Sequence, residues 1–333
     1  MSGIRVGVNG FGRIGRYLTR LLVQDNAVQL VVVNDIAPTE TLMHLFKFDS
    51  VHGRFQGKIK QVTEHEFYCN HVLLRFTHFD HPQHLNWKSQ DLNVVVESTG
   101  KFLTYEAGEQ HLAKGANRVI FSAPTNDERI PTVVLGVNDH LLTGEERMLS
   151  NASCTTNSAA PLIRVMQEIC EIESAYITTV HSYTTDQRLH DSPHKDLRRA
   201  RAAAQSIVPT TTGAAKALTK IFPELDGKLG GCGMRVPVPD GSLTDLTMIV
   251  QNPPAIEKIN QAFRFASENH LKGILQYTED PIVSVDILGQ SHSCIFDSEL
   301  TSVVGNMVKV VGWYDNEAGY SNRLLDLIKR YSN

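Results

Sequence analysis

The sequence predicts an α/β protein in two parts. A doubly wound parallel sheet is expected over residues 1–153, completed by a C-terminal helix at 316–333. A second, α+β domain with a mostly antiparallel sheet is expected over 154–315. Three observations predict this. Short apolar runs alternate with helical segments through the first half. A glycine-rich turn joins the first run to the first helix. Near residue 150 the pattern gives way to longer strands with weaker helical interleaving. The chain of 333 residues is long enough for about two domains and a sizeable core.

The clearest strands of the first half are Ile4–Val8, Val28–Val33, Val94–Glu97 and Val119–Phe121. They are almost wholly apolar, as strands covered on both faces must be. Phe11–Gln24 reads as the first crossover helix, with Ile14, Leu18, Leu21 and Leu22 on one face. After Asn151–Asn157 the spacing predicts a helix over Thr155–Ile169. The strands expected next are Tyr176–His181, Met234–Val238, Asp245–Val250, Ile282–Ile287 and Val308–Trp313, with a helix over Ala214–Ile221. Ser182–Gln205 is polar and lacks periodicity, and a loop that long inside a domain is usually functional or buried at an interface. Tyr320, Leu324, Leu327 and Ile328 lie at helical spacing in the last segment.

Composition excludes several classes. The net charge of -4 carries no strong basic excess, so no nucleic-acid partner is expected. Five cysteines are scattered without a CxxC pair or zinc-like spacing, so no metal is expected and the thiols fit a reducing compartment. The N-terminus runs at once into an apolar strand, without the pattern of a signal peptide. No window is apolar enough to predict a membrane span. The expected location is cytoplasmic.

Gly10–Phe11–Gly12–Arg13–Ile14–Gly15 is a GxGxxG sequence that follows an apolar strand and opens a helix. Asp35 ends the next strand, about twenty residues beyond Gly15. Together they read as a Rossmann-type dinucleotide site. Glycines allow a tight turn and close approach to a pyrophosphate, and the helix start offers unpaired N–H groups. Asp35 suits a ribose 2′-hydroxyl and would repel a 2′-phosphate, which favours NAD over NADP. The alternative is a glycine-rich turn without a ligand.

Cys154 lies in Ser153–Cys154–Thr155–Thr156–Asn157, where small hydroxylated residues precede a helix. A helix N-terminus stabilises a thiolate, so a lowered thiol pKa is expected. His181 closes a strand, and a Cys–His pair at that edge makes a nucleophile with its base. Against this stand a small buried cysteine and a structural histidine, the commoner roles of each. A thiol beside a dinucleotide fold suits aldehyde oxidation, because the hemithioacetal can release a hydride to nicotinamide. Thr184, Arg199, Thr212–Gly213 and Arg235 offer hydroxyls, N–H groups and guanidinium forks suited to phosphate oxygens. For each arginine alone a solvated or ion-paired surface role is the commoner one, so the set gains meaning only as a group.

The motifs together closely resemble phosphorylating glyceraldehyde-3-phosphate dehydrogenases over essentially the whole chain. They include Val8–Arg16, Asn34–Asp35, Glu97–Gly100, Ser153–Asn157, His181–Thr184, Asp196–Arg201, Thr212–Lys216, Arg235–Pro237 and Trp313–Glu317. The resemblance implies that Cys154 is the nucleophile and His181 its activator and proton carrier. Gly10, Gly12, Arg13, Ile14, Gly15, Asp35, Thr99, Ser122 and Asn316 would be cofactor contacts, with Asn316 near the nicotinamide amide. Ser153, Thr155, Thr184, Arg199, Thr212, Gly213 and Arg235 would hold the substrate phosphate and the attacking inorganic phosphate. The implied reaction converts glyceraldehyde 3-phosphate, NAD and phosphate to 1,3-bisphosphoglycerate through a Cys154 thioester. A homotetramer follows by the same analogy.

Four positions depart from the family pattern. Ser158 stands where many members have a second cysteine, and Ala318 where tryptophan is usual. Asp80–His81–Pro82 replaces Arg-Asp-Pro near the adenine, and Ser192–Pro193 replaces Leu-Pro, which leaves room for weak NADP use. The competing readings are an erythrose-4-phosphate dehydrogenase, a cysteine hydrolase, and a non-catalytic NAD- or RNA-binding protein. The Tyr183–Thr184 and Thr212–Gly213 pairs favour the phosphorylating enzyme over the first. The dinucleotide motif disfavours the second, and the intact Cys154, His181, Thr184 and Arg235 disfavour the third.

Overall fold

The computed structural model describes residues 3–331. Ser332 and Asn333 of the expected C-terminal helix, and Met1 and Ser2, lie outside the described residues. The chain divides into two compact units. The first comprises Met1–Val133, Leu141–Ala152 and Ser321–Asn333, the second Val134–His140 and Ser153–Tyr320.

The first unit opens with β1 (Ile4–Asn9), α1 (Arg13–Leu22), β2 (Val28–Asn34) and α2 (Thr39–Lys47). A small ribbon of β3 (Phe48–Asp49) and β4 (Gly53–Arg54) precedes β5 (Ile59–Gln61), β6 (Glu66–Cys69) and β7 (Val72–Thr77). β8 (Val94–Glu97), α3 (Tyr105–Ala113), β9 (Arg118–Phe121) and β10 (Met148–Ser150) follow. The sheet order is β10-β9-β8-β1-β2-β7-β6-β5. From β10 to β7 neighbouring strands are parallel, and β6 and β5 add an antiparallel edge. This is the expected doubly wound sheet. Its central strands are apolar because both faces are covered: Val6, Val8 and Val94 to Val96 have no exposed surface. The strand order reverses between β1 and β8, which creates the crevice where such sheets bind ligands. The first helix begins two residues later than expected, because Gly12 is extended (ψ -162°) and serves as its N-cap.

In the second unit α4 (Cys154–Gln167) leads into β11 (Ile172–Ser182), β12 (Val208–Thr210), α5 (Ala214–Ile221) and β13 (Leu229–Val236). Then come β14 (Ser242–Val250), α6 (Ile256–Glu268), β15 (Leu275–Thr278), β16 (Cys294–Val304) and β17 (Met307–Tyr314). α7 (Ala318–Tyr331) starts in this unit and from Ser321 belongs to the first. The sheet order is β12-β13-β11-β14-β17-β16-β15. Only β11/β13 and β15/β16 are parallel pairs, so the sheet is mostly antiparallel as expected. β14 alternates buried and half-buried residues, the signature of a strand with one face on the core. α4 lies against this sheet and buries Leu162, Ile163, Val165 and Met166.

One expected strand is absent. Ile282–Ile287 carries a 3-10 turn at Ser284–Ile287 instead. Asp286 Oδ2 accepts the Val283 N–H at 2.8 Å, and Val283 and Val285 point into solvent. Among the described residues this alternation pairs with no strand, and the Asp286 carboxylate takes the Val283 backbone donor instead. The segment 183–205 contains no helix or regular strand; an isolated bridge joins Arg188 to Ala202, and the Tyr183 N–H bonds the Val238 carbonyl at 3.1 Å.

Candidate active site

The crevice of the first unit is a cleft of about 230 Å³, lined among others by Gly10, Gly12, Asp35, His81, Thr99 and Phe102. Gly10 has φ 98°, and a Cβ there would lie 2.6 Å from the Thr99 backbone nitrogen. A Cβ on Gly15 would meet the Gly10 carbonyl oxygen at 2.1 Å, so only glycine lets α1 start this close to β1. Gly12 faces open space: nothing lies within 4 Å of where its Cβ would be. These are the conditions for a pyrophosphate to approach a helix start. Asp35 Oδ2 accepts the Phe11 N–H at 2.7 Å and Oδ1 the Ala37 N–H at 3.0 Å. The carboxylate therefore clamps the glycine turn as well as facing the cleft. Ile36 and Ala37 beside it supply no cation for a 2′-phosphate. The residues present fit NAD.

Arg13 turns its guanidinium onto Asp49, at 2.8 and 3.0 Å, so its side chain braces α1. Burial pushes the Asp49 carboxyl up, but Arg13 and the His52 and Val51 N–H groups outweigh it and hold it down at about 2. Ile14 is half-buried in the first turn of α1. Ser122 follows β9, and its N–H bonds the Glu97 carbonyl at 2.9 Å. His81, at one of the unusual positions, stacks edge-on to Phe102 with ring centres 5.1 Å apart.

In the second unit Cys154 is the first residue of α4. Ser153 is its N-cap, and the Ser153 hydroxyl accepts the Thr156 N–H at 3.1 Å. The preceding Ala152 has φ 54°, a strained value for alanine that turns the chain sharply into the helix. Cys154 Sγ lies 3.5 Å from His181 Nε2. His181 is 5% exposed, and its Nδ1 lies 2.8 Å from the Ser182 carbonyl. In the tautomer that donates Nδ1–H to that carbonyl, Nε2 is an acceptor facing the thiol, and the nearby Arg235 guanidinium, which can only donate, then meets Nδ1 as a charge contact and not as a hydrogen bond. The parallel register of β11 and β13 pairs His181 with Arg235. Arg235 Nη1 donates to the Ser182 carbonyl at 2.9 Å and reaches His181 Nδ1 at 2.6 Å.

The electrostatics correct one expectation. Burial pushes the Cys154 thiol up to about 11, against the lowering by Arg235 and the Thr155 N–H. The helix start favours the thiolate, but lost hydration outweighs it. Burial and the same guanidinium push His181 down to about 3. Burial thus disfavours both the thiolate and the imidazolium, while Arg235 favours the thiolate and disfavours the imidazolium.

Thr184 and Arg199 converge on Asp186, each hydrogen-bonding that carboxylate. Arg199 Nε also bonds the Thr210 hydroxyl at 3.0 Å. Burial pushes Asp186 up, but the Thr184 hydroxyl, Arg199 and Arg235 together hold it below the usual carboxylate range. Thr184, Arg199 and Arg235 therefore share one anionic neighbour. Thr155 turns its hydroxyl inward to Tyr314, 2.9 Å away, and Tyr314 also bonds Thr179 at 2.8 Å. Thr212 and Gly213 form the start of α5, where the Thr212 hydroxyl accepts the Ala214 N–H at 3.2 Å. Asn316 is buried, and its Oδ1 accepts hydrogen bonds at 2.8 Å from both Ser182 and Ser242. Its amide N–H₂ is thereby turned away from the two serines.

Several partners were not singled out in the sequence. Asp186 sits in the aperiodic segment with no distinguishing signal. Asp49, Ser242 and His111 lie far in sequence from the residues they hold. Glu97 was visible only as part of a motif.

Fold and site together define a class: a nucleotide-binding α/β protein with a cysteine–histidine pair on its second domain. Comparison with known proteins makes this specific. Residues 4–105 match the family described as glyceraldehyde 3-phosphate dehydrogenase, NAD binding domain, and residues 153–316 match its C-terminal domain. The glyceraldehyde-3-phosphate dehydrogenase of Mycobacterium avium is 50% identical over 331 residues, covering 98% of this chain and 97% of the relative. Glyceraldehyde-3-phosphate dehydrogenase 2 of Streptomyces avermitilis is 49% identical over 327 residues, covering 97% of each chain. The chain belongs to the glyceraldehyde-3-phosphate dehydrogenase family.

Proposed function

We propose that this chain oxidises glyceraldehyde 3-phosphate with NAD and inorganic phosphate, giving 1,3-bisphosphoglycerate and NADH. The observation that carries the chemistry is the 3.5 Å approach of Cys154 Sγ to His181 Nε2, with Nδ1 2.8 Å from the Ser182 carbonyl. His181 Nε2 takes the thiol proton as Sγ bonds to the aldehyde carbon, and returns it to the carbonyl oxygen to complete a hemithioacetal. His181 then takes the hydroxyl proton as the C–H bond breaks, leaving a thioester on Cys154. NAD, when bound, supplies the acceptor for the hydride. A phosphate oxygen attacks the thioester carbon, the Cys154 sulfur leaves, and the acyl phosphate is released.

Gly10, Gly12, Arg13, Ile14, Gly15, Asp35, Thr99, Ser122 and Asn316 are the cofactor set. The Asp35 carboxylate favours NAD, with NADP a poor second. Thr184, Arg199 and Arg235, with Ser153, Thr155, Thr212 and Gly213, serve the two phosphates. The shared grip of Thr184 and Arg199 on the Asp186 carboxylate supports an anion-accepting role. The reaction uses no metal. Among the described residues no helix is long and apolar enough to cross a membrane. The reading carries a cytoplasmic homotetramer, which a mass measurement in solution checks.

The test is NADH formation from glyceraldehyde 3-phosphate with and without phosphate, beside erythrose 4-phosphate and NADP. Strong phosphate dependence and a preference for NAD are expected. Undiminished turnover without phosphate, or faster turnover of erythrose 4-phosphate, counts against the proposal.

A further inference from the structure

Behind the Ser98–Thr99 wall of the first-unit cleft lies a buried carboxylate with an unusual set of partners. Glu97 and His111 are both 0% exposed. Glu97 Oε1 accepts the Thr99 N–H at 2.8 Å and the Thr99 hydroxyl. Glu97 Oε2 accepts the Asn9 amide at 2.6 Å and faces His111 Nε2 at 3.1 Å. Trp87 Nε1 lies 3.0 Å from His111 Nδ1. An indole N–H can only donate, so His111 Nδ1 is the acceptor and its proton sits on Nε2, aimed at Glu97. On the other side Asn9 Oδ1 accepts the Asn34 amide at 2.8 Å, and Asn34 Oδ1 accepts the Thr77 hydroxyl at 2.8 Å. One chain of hydrogen bonds thus crosses the ends of β7, β2, β1 and β8 and continues to α3. Every link points its donor toward Glu97.

Two consequences follow. First, Glu97 fixes Thr99 and, through Asn9, the backbone that carries Gly10, and all three line the cleft or stand directly behind it. Second, the imidazole facing it has Nδ1 occupied as an acceptor, and among the described residues no lysine or arginine pairs with Glu97. Glu97 thus accepts from four donors and donates to none, the hydrogen-bond pattern of a carboxylate, one residue behind the cleft wall. The oxidised nicotinamide cofactor carries one more positive charge than the reduced form.

We propose that Glu97 is a positioning residue that organises the strand-end network of the cleft and biases binding toward the oxidised cofactor. This rests on the reading of the cleft as the NAD site. Glutamine at this position has nearly the same shape but no charge, and its N–H₂ would face one of the present donors. His111→Phe keeps the carboxylate and removes one N–H dipole directed at it, and His111 is not itself among the residues that line the cleft.

The experiment is titration of the full-length protein with NAD and, separately, with NADH, reading the two dissociation constants without turnover. Glu97→Gln is expected to raise the ratio of the NAD to the NADH constant by ~3–10-fold, the size of one charge acting through a partly screened interior. His111→Phe is expected to move the ratio the other way, by about 2-fold. If Glu97→Gln does not fold, His111→Phe carries the test. An unchanged ratio, with both constants intact or both weakened equally, overturns the charge role. Wild-type protein that binds neither form overturns the cleft assignment itself and the proposal with it, an outcome distinct from an unmoved ratio.

Discussion

The nucleotide cleft of the first unit is lined by strand ends and glycine turns, whereas the thiol–imidazole pair of the second is assembled from side chains on three separate elements. In the cleft the decisive contacts are backbone ones: Gly15 against the Gly10 carbonyl, and Phe11 N–H on Asp35. In the pair, Cys154 comes from α4, His181 from β11 and Arg235 from β13, and a strand register makes the last two neighbours. A site made of backbone tolerates side-chain change but not bulk. A site made of converging side chains depends on each one, and on the low dielectric that burial creates around them.

Breaking the side-chain site has the largest expected effect. Cys154→Ala should lower NADH formation by roughly 10⁴-fold or more while NAD still binds. Retained phosphate-dependent turnover would remove Cys154 as nucleophile. His181→Asn should cost ~10²–10⁴-fold in turnover, the usual range for a lost general base. A rate within a few-fold of wild type would mean that another group takes the proton.

Bulk in the backbone site comes next. Gly15→Ala, with its Cβ 2.1 Å from a carbonyl oxygen, should lower NAD affinity on the order of 10²-fold. Alkylation of Cys154 in the same variant should proceed at the wild-type rate, and a parallel loss would indicate general unfolding instead. The smallest effect concerns charge. Arg235 lowers both the Cys154 and His181 pKa values, so Arg235→Gln should raise both. Less thiolate then forms at a given mildly alkaline pH, and alkylation should slow by ~3–10-fold with its midpoint moved to higher pH. A midpoint moved to lower pH would contradict the assigned direction.

The two sites also differed in how far they could be read from sequence. The glycine turn and Asp35 were legible because their spacing is local and each glycine has a steric reason. The helix over Ala214–Ile221 and the strand Val94–Glu97 match their observed bounds for the same reason: periodicity is a local property. Ile282–Ile287 misled because alternation alone does not say whether a partner strand exists. The lowered thiol pKa expected from the helix start was overturned by burial, which a linear motif does not encode. Nothing near Asp186, Ser242 or His111 in sequence marks their partners Arg199, Asn316 and Glu97, which lie well away along the chain.

The sequence by itself determined the doubly wound sheet, the glycine turn under Asp35, and the start of the Cys154 helix, because strand burial, chain reversal and capping act over a few neighbouring residues. Only the tertiary structure decided which atoms of His181 face the thiol and the Ser182 carbonyl, that Arg235 stands beside it, and that Glu97 gathers donors from Asn9 on β1, from Thr99 and from His111 on α3. Those outcomes depend on register and on exclusion of water, and both are set by contacts between residues distant along the chain.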